Sequence, residues 1–277
     1  MANSSLKKSY LYSWYSSFVF ESCPLVAAIT NLGAWYYSDR IALAAYQAQP
    51  VAAHQAPGIH RIVERLAHRA GIPKPAVYVI PGAAANAFAT GRDPNHAAIA
   101  VTEGIVNLLP PEELEGVIAH ELSHIMNRDT LTQAVAATIA GAISFLAQIL
   151  SYAMWFGGFS RDEDGPNPFA MLGTVLLAPI AATVLQLGIS RTREFAADAG
   201  AAQLTGNPQA LARALKRLEA NARRVPMAGN PAFEPLMIVN AVPQQFLVSL
   251  FSTHPSVEQR VQRLLGMQVT ADRVYGL

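Results

Sequence analysis

Two histidines four residues apart, His120 and His124, stand in the stretch Val-Ile-Ala-His-Glu-Leu-Ser-His at residues 117–124. On a helix this spacing puts both imidazoles on one face, one turn apart, so both reach a single ion. Glu121 follows the first histidine, placed to approach a water on that ion without ligating it. Two neutral nitrogens for a tetrahedral zinc, with a carboxylate as general base, make a hydrolase arrangement. The same residues also fit a helix that merely carries two histidines, and the choice falls to what surrounds them.

A two-histidine site needs a further ligand. Cys23 is the only cysteine, so thiolate ligation and an internal disulfide are both excluded. The ligand must be a carboxylate or another histidine. Arg191-Thr-Arg-Glu194-Phe-Ala-Ala-Asp198 supplies two acids one helical turn apart. Between this stretch and the histidines, Thr130–Ser160 and Phe169–Ser190 contain no charged residue, and Arg161-Asp-Glu-Asp lies in the turn that separates them. Each run is long enough to cross a bilayer with tilt, and Pro179 is tolerable in a membrane helix. Two buried soluble helices would have to stay uncharged on every face. A transmembrane hairpin returns its chain to the side it left. Glu194 is therefore expected as the third zinc ligand. Asp198 is expected to accept the free ring N–H of a zinc-bound histidine. The competing reading of Glu194 and Asp198 is a solvated juxtamembrane helix.

The elements that must position these groups follow from local signals. Pro110-Pro111 with Glu112 and Glu113 opens the zinc helix, and Leu114, Val117, Ile118, Leu122 and Ile125 supply its buried side. Ala76–Ile80 and Ala97–Thr102 read as strands with Asn86–Gly91 between them, which suggests a small antiparallel sheet. Its edge could hold a peptide as an added strand; a purely structural hairpin fits as well. Residues 59–70 form a helix ended by Gly71, and His54, His60 and His68 nearby lie at no ligand spacing. Asn207-Pro208 starts another helix, with Leu211, Leu215 and Leu218 as its buried stripe. Leu236–Phe251 reads as core packing or a lid. His254, before Pro255, marks a junction leading to a terminal helix with Arg260.

The hydrophobic content of 52% against 14% charged residues fits a membrane protein, as does a mean hydropathy of +0.23. A net charge of +1 gives no reason to expect a nucleic-acid partner. Residues 18–37 reach spanning length with Glu21 included, and Trp35-Tyr36-Tyr37 resembles an interfacial belt. We read one membrane-embedded helix there, with a soluble packed helix as the alternative. The expected domains are 1–40, a membrane-associated segment; 41–130, the first catalytic part; 131–190, the hairpin; and 191–277, the second catalytic part. Arg128, Arg191 and Arg193 flank the spans on the zinc side, which places the zinc at the cytoplasmic face. Lys7 and Lys8 point the other way if residues 18–37 span once.

Taken together, His120-Glu121-Leu-Ser-His124, Glu194-Phe-Ala-Ala-Asp198, Asn86-Ala-Phe-Ala-Thr-Gly91 and Ser-Thr-His254-Pro-Ser with Arg260 resemble the HtpX family over residues 32–265. These are membrane-integrated zinc peptidases, similar in catalytic domain to CAAX-prenyl endopeptidases. The resemblance implies an α+β, mostly helical, zincin-like fold with one zinc per subunit on His120, His124 and Glu194. It makes Glu121 the catalytic acid and places Asn86, Ala87 and Phe88 at the substrate. It also implies cleavage of misfolded or damaged membrane proteins at the cytoplasmic face of the bacterial inner membrane, as a stress response. Peptide or unfolded membrane-protein substrates and the lipid bilayer are then the partners. His254 and Arg260 are expected to stabilise charge on the tetrahedral oxygen; a capping or packing role for His254 is the alternative. The chain departs from the family at its start, where the first helix of an opening hydrophobic hairpin is missing or replaced by a Ser/Tyr-rich stretch. A zinc-stabilised adaptor without activity and a prenyl-protein protease are the rival functions.

Overall fold

The computed structural model describes residues 26, 28–155, 168–225, 238 and 255–267. The expectations for residues 1–25, for the turn at 156–167, for His254 and for most of 236–251 lie outside the described residues. The chain divides into two compact units, one of residues 1–34 and 134–183, the other of residues 35–133 and 184–277.

The first unit is helical. It takes most of α1 (residues 28–36) and the apolar lengths of α6 (Asp129–Trp155) and α7 (Pro168–Thr205). The stretches Asp129–Ser151 and Gly173–Thr205 are long and apolar enough to cross a membrane. Val135, Ile139, Leu146, Leu176, Leu177 and Ile180 are all exposed on these helices. Such a display suits contact with lipid rather than water. Asn31 Nδ2 donates to Thr138 Oγ1 across 3.1 Å, a polar tie between α1 and α6 of the kind that joins apolar helices.

The second unit contains the sheet and the remaining helices. Strands β1 (Gln49–Pro50), β2 (Ala76–Ile80), β3 (Ala87–Gly91) and β4 (Ala97–Thr102) lie in the order β1-β2-β4-β3. β3 and β4 pair antiparallel, Ala87 opposite Val101 and Gly91 opposite Ala97. β2 and β4 pair parallel, Ala76 opposite Ala98 and Ile80 opposite Thr102. The sheet is therefore mixed, not the antiparallel sheet expected from the sequence. The cause is that Ala87–Gly91 is itself a strand: its hairpin with β4 turns β4 back into the direction of β2. β4, Ala-Ala-Ile-Ala-Val-Thr, is almost wholly buried, as a central strand must be. Gly91 closes the hairpin at φ +131, and a Cβ there would lie 2.1 Å from the His96 carbonyl oxygen, so only glycine fits.

Helices α2 (Ser38–Ala45), α3 (Pro57–Ala70), α4 (Glu103–Leu108), α5 (Pro111–Met126), α8 (Pro208–Ala222) and α9 (Val257–Gly266) complete this unit. α5 starts at Pro111 with Glu112 and Glu113 in its first turn. Its apolar residues suggest one buried side, yet Gly116 through Ser123 are all buried, so it runs through the core on several faces. Val63, Leu66, Ile99, Leu122, Leu215 and Leu264 share that core. Burying each such side chain contributes roughly 1.5–3 kcal/mol. The histidine-bearing helix is thus fixed by packing around it.

Candidate metal centre

His120 and His124 project from the same face of α5, their Nε2 atoms 3.1 Å apart. Glu194 reaches them from α7: its Oε2 is 3.6 Å from His120 Nε2 and its Oε1 is 3.6 Å from His124 Nε2. A tetrahedron with metal–ligand bonds of 2.0–2.1 Å has edges of about 3.3 Å. The two 3.6 Å contacts go to different oxygens of Glu194, and one ligand atom from each of the three side chains lies within 4.8 Å of the others, near enough for a single ion to draw all three in. Among the described residues they are the group of at least three His, Cys, Asp or Glu able to hold a metal ion.

The outer nitrogens are occupied by carboxylates. His120 Nδ1 lies 3.0 Å from Asp198 Oδ1, and His124 Nδ1 lies 2.5 Å from Asp129 Oδ2. A carboxylate at Nδ1 keeps the proton there and leaves the Nε2 lone pair for an ion. Two such lone pairs facing across 3.1 Å repel unless a cation lies between them. Charge makes the same demand. Glu121, Asp129, Glu194 and Asp198 outnumber the two guanidinium groups of Arg193 and Arg260 beside them, so the site favours added positive charge, a proton on His120 or a metal ion in its place. The donor set of two imidazoles and a carboxylate suits zinc.

Ionisation within the site follows from these neighbours. Burial and the Arg260 charge pull the His120 imidazole down, but Asp198 and Glu194 outweigh them and hold its pKa up at about 9. A metal entering here displaces that proton. Burial pushes the Glu121 carboxyl above its ordinary value, partly offset by His120, His124 and the N–H of Ala89. That N–H, on β3, donates to Glu121 Oε2 across 2.8 Å. The edge strand thus holds the carboxylate beside the metal position.

Arg260 sits behind the site. It is 1% exposed, grips Asp198 with Nε and Nη2 at 2.9 and 2.7 Å, and donates from Nη1 to the Ile238 carbonyl at 3.1 Å. Its Nη1 is also 3.2 Å from Glu194 Oε2. These contacts hold Asp198 and Glu194 in place, in contrast to the expected contact with substrate. Asn86, Ala87 and Phe88 are buried, so their side chains do not line an open cleft. Asn86 Oδ1 accepts from the Ile238 N–H at 3.2 Å.

Asp129 has no counterpart in the sequence reading, and Arg193 figures there only as a charge flanking the spans. Asp129 is five residues beyond His124, off the helical i, i+4 rule. Arg128, at φ +53, breaks the helix and brings Asp129 back. The positive φ of a non-glycine residue leaves no sequence signal. α7 approaches α5 closely because residue 200 is glycine: a Cβ there would lie 2.5 Å from Ser123 Oγ. A shallow pocket lined by Ala89, Gly91, Arg92, His124, Arg128 and Thr130 adjoins the site. His124, 19% exposed at its side chain, is the most accessible of the three clustered residues.

The sequence pattern of peptidase family M48 matches residues 53–268, a span that includes His120, His124 and Glu194. The chain belongs to peptidase family M48. Within that family it is 67% identical over 244 residues to a protease HtpX homologue of Nostoc punctiforme, covering 88% of this chain and 84% of that one. A protease HtpX homologue of Pyrococcus furiosus is 50% identical over 240 residues, 86% of this chain and 83% of that one. The crystal structure of S. mikatae Ste24p is similar with a TM-score of 0.60 at 22% identity, over 94% of this chain and 63% of its own. At that identity the likeness is one of fold. The HtpX resemblance of the motifs and the zincin-like fold are both met, and the M48 membership supports a peptidase.

Proposed function

We propose that this M48 peptidase is a membrane-bound zinc endopeptidase acting on misfolded or damaged membrane proteins. The observation that carries the proposal is the triangle of His120, His124 and Glu194, with Glu121 held at its side by the β3 edge. His120, His124 and Glu194 hold the zinc. When bound it supplies Lewis acidity, acidifying a water and polarising a carbonyl. Glu121 takes the proton of the attacking water and returns one to the leaving amine. The Ala89 N–H orients Glu121 for that transfer. Asp198 and Asp129 fix the ring tautomers, and Arg260 holds Asp198 and Glu194.

An extended peptide along β3, read through backbone groups, suits a protease that takes unfolded segments without a fixed sequence. The Arg128, Arg191 and Arg193 flanks support a cytoplasmic active site in a bacterial inner membrane. A stress-related quality-control role rests on the resemblance of the motifs to the HtpX family. The adaptor alternative calls for a closed site of four protein ligands; among the described residues three converge.

The test is cleavage of an unfolded, reduced and alkylated protein by the full chain in detergent. Glu121→Gln should lower turnover by about 10²–10⁴-fold while zinc content stays at the wild-type level. Turnover in Glu121→Gln equal to wild type would remove Glu121 as the base.

A further inference from the structure

We infer that Asp129 is a positioning residue of the metal centre, and that its ion pair with Arg193 locks the two halves of that centre together. The inference rests on the metal-site reading given above. His124 belongs to the half carried by α5. Glu194 belongs to the half carried by α7, far along the chain. Asp129 touches both. Its Oδ2 takes the Nδ1 side of His124 at 2.5 Å, and its Oδ1 lies 2.7 Å from Nε of Arg193, the residue before Glu194. Both groups are nearly removed from solvent, at 6% and 12% side-chain exposure. Their attraction is therefore weakly screened.

The backbone is shaped for this contact. On an uninterrupted helix a residue five positions after His124 would point away from its imidazole. Arg128 adopts φ +53, a conformation seldom taken by residues other than glycine. The break lets Asp129 open α6 and still face His124. Because α6 starts at Asp129 and Arg193 follows the uncharged run of α7, the pair also ties the start of α6 to the interior of α7 within the second unit. Asp129 thus does for His124 what Asp198 does for His120, with the second guanidinium of the site behind it.

The test measures zinc affinity of the full chain in detergent by competition with a chromophoric chelator, together with the visible spectrum of the cobalt-substituted chain. Asp129→Ala should weaken zinc binding by roughly 10–100-fold and shift the cobalt bands. Asp129→Asn, whose side-chain carbonyl still accepts the Nδ1–H, should lose less. Arg193→Gln should weaken binding in the wild-type background and add nothing to Asp129→Ala, because it acts through that carboxylate. If Asp129→Ala does not fold, the Asn and Arg193→Gln variants carry the test. Affinities within about twofold of wild type, with unshifted cobalt bands, would overturn the inference alone. A wild-type chain that binds no zinc would overturn the metal-site reading and this inference with it.

Discussion

Replacing Gly200 by alanine should loosen the metal centre without touching any ligand. The new Cβ would lie 2.5 Å from Ser123 Oγ and 3.0 Å from Ser123 Cβ. These separations are about 1 Å short of ordinary contact. Ser123 has little freedom to retreat: it is buried between the two histidines on α5, and its hydroxyl donates to the Ala119 carbonyl at 2.8 Å. The strain must therefore move α7 away from α5. Overpacking of this kind costs about 1–3 kcal/mol, which lowers the melting temperature by about 2–10 °C for a chain of this size. Glu194 lies less than two turns before Gly200 on the same helix. A displacement of even half the clash exceeds the ~0.2 Å tolerance of zinc–ligand distances, so zinc affinity should drop by about tenfold or more. The assay is thermal unfolding and chelator competition on wild type, Gly200→Ala, Ser123→Ala and the double variant. Ser123→Ala removes the nearer of the two clashing atoms, so the double variant should recover part of both losses, a coupling of about 0.5–3 kcal/mol. Wild-type stability and affinity in Gly200→Ala, or strictly additive losses in the double variant, would refute the claim that this contact sets the spacing of the two half-sites.

Asp198→Ala should be among the most damaging single changes. It strands the buried Arg260 guanidinium, which Asp198 holds by two bonds, at a cost of about 3–5 kcal/mol; chemical denaturation in detergent reads it. Arg128→Gly should leave stability unchanged or raise it by about 1 kcal/mol, since glycine takes the φ of +53 freely. Arg128→Val should lower stability and, by displacing Asp129, weaken zinc binding; equal behaviour of the two variants would count against the turn as the device that places Asp129.

The grouping of His120, His124 and Glu194 is legible in the sequence because two regularities combine. Helical spacing places His120 beside His124, and α7, past its uncharged run, brings Glu194 to them. Asp198 is legible for the same reason, one turn beyond Glu194. Asp129 is hidden because a left-handed Arg128 undoes the helical count. The direction of β4 is hidden because the pairing of β3 depends on a glycine hairpin that strand propensity does not register. Arg260 is visible as a residue, but its burial behind Asp198 depends on how α9 packs. The Arg263 guanidinium lies 3.7 Å over the Phe195 ring and binds α9 to α7. No local signal carries that contact.

The central claim is that one ion is held by His120, His124 and Glu194. Metal analysis of the purified full chain tests it most directly, for wild type, Glu121→Gln and Glu194→Ala. About one zinc per chain is expected in wild type and in Glu121→Gln, with most of it lost from Glu194→Ala. Full zinc occupancy in Glu194→Ala would contradict the assignment.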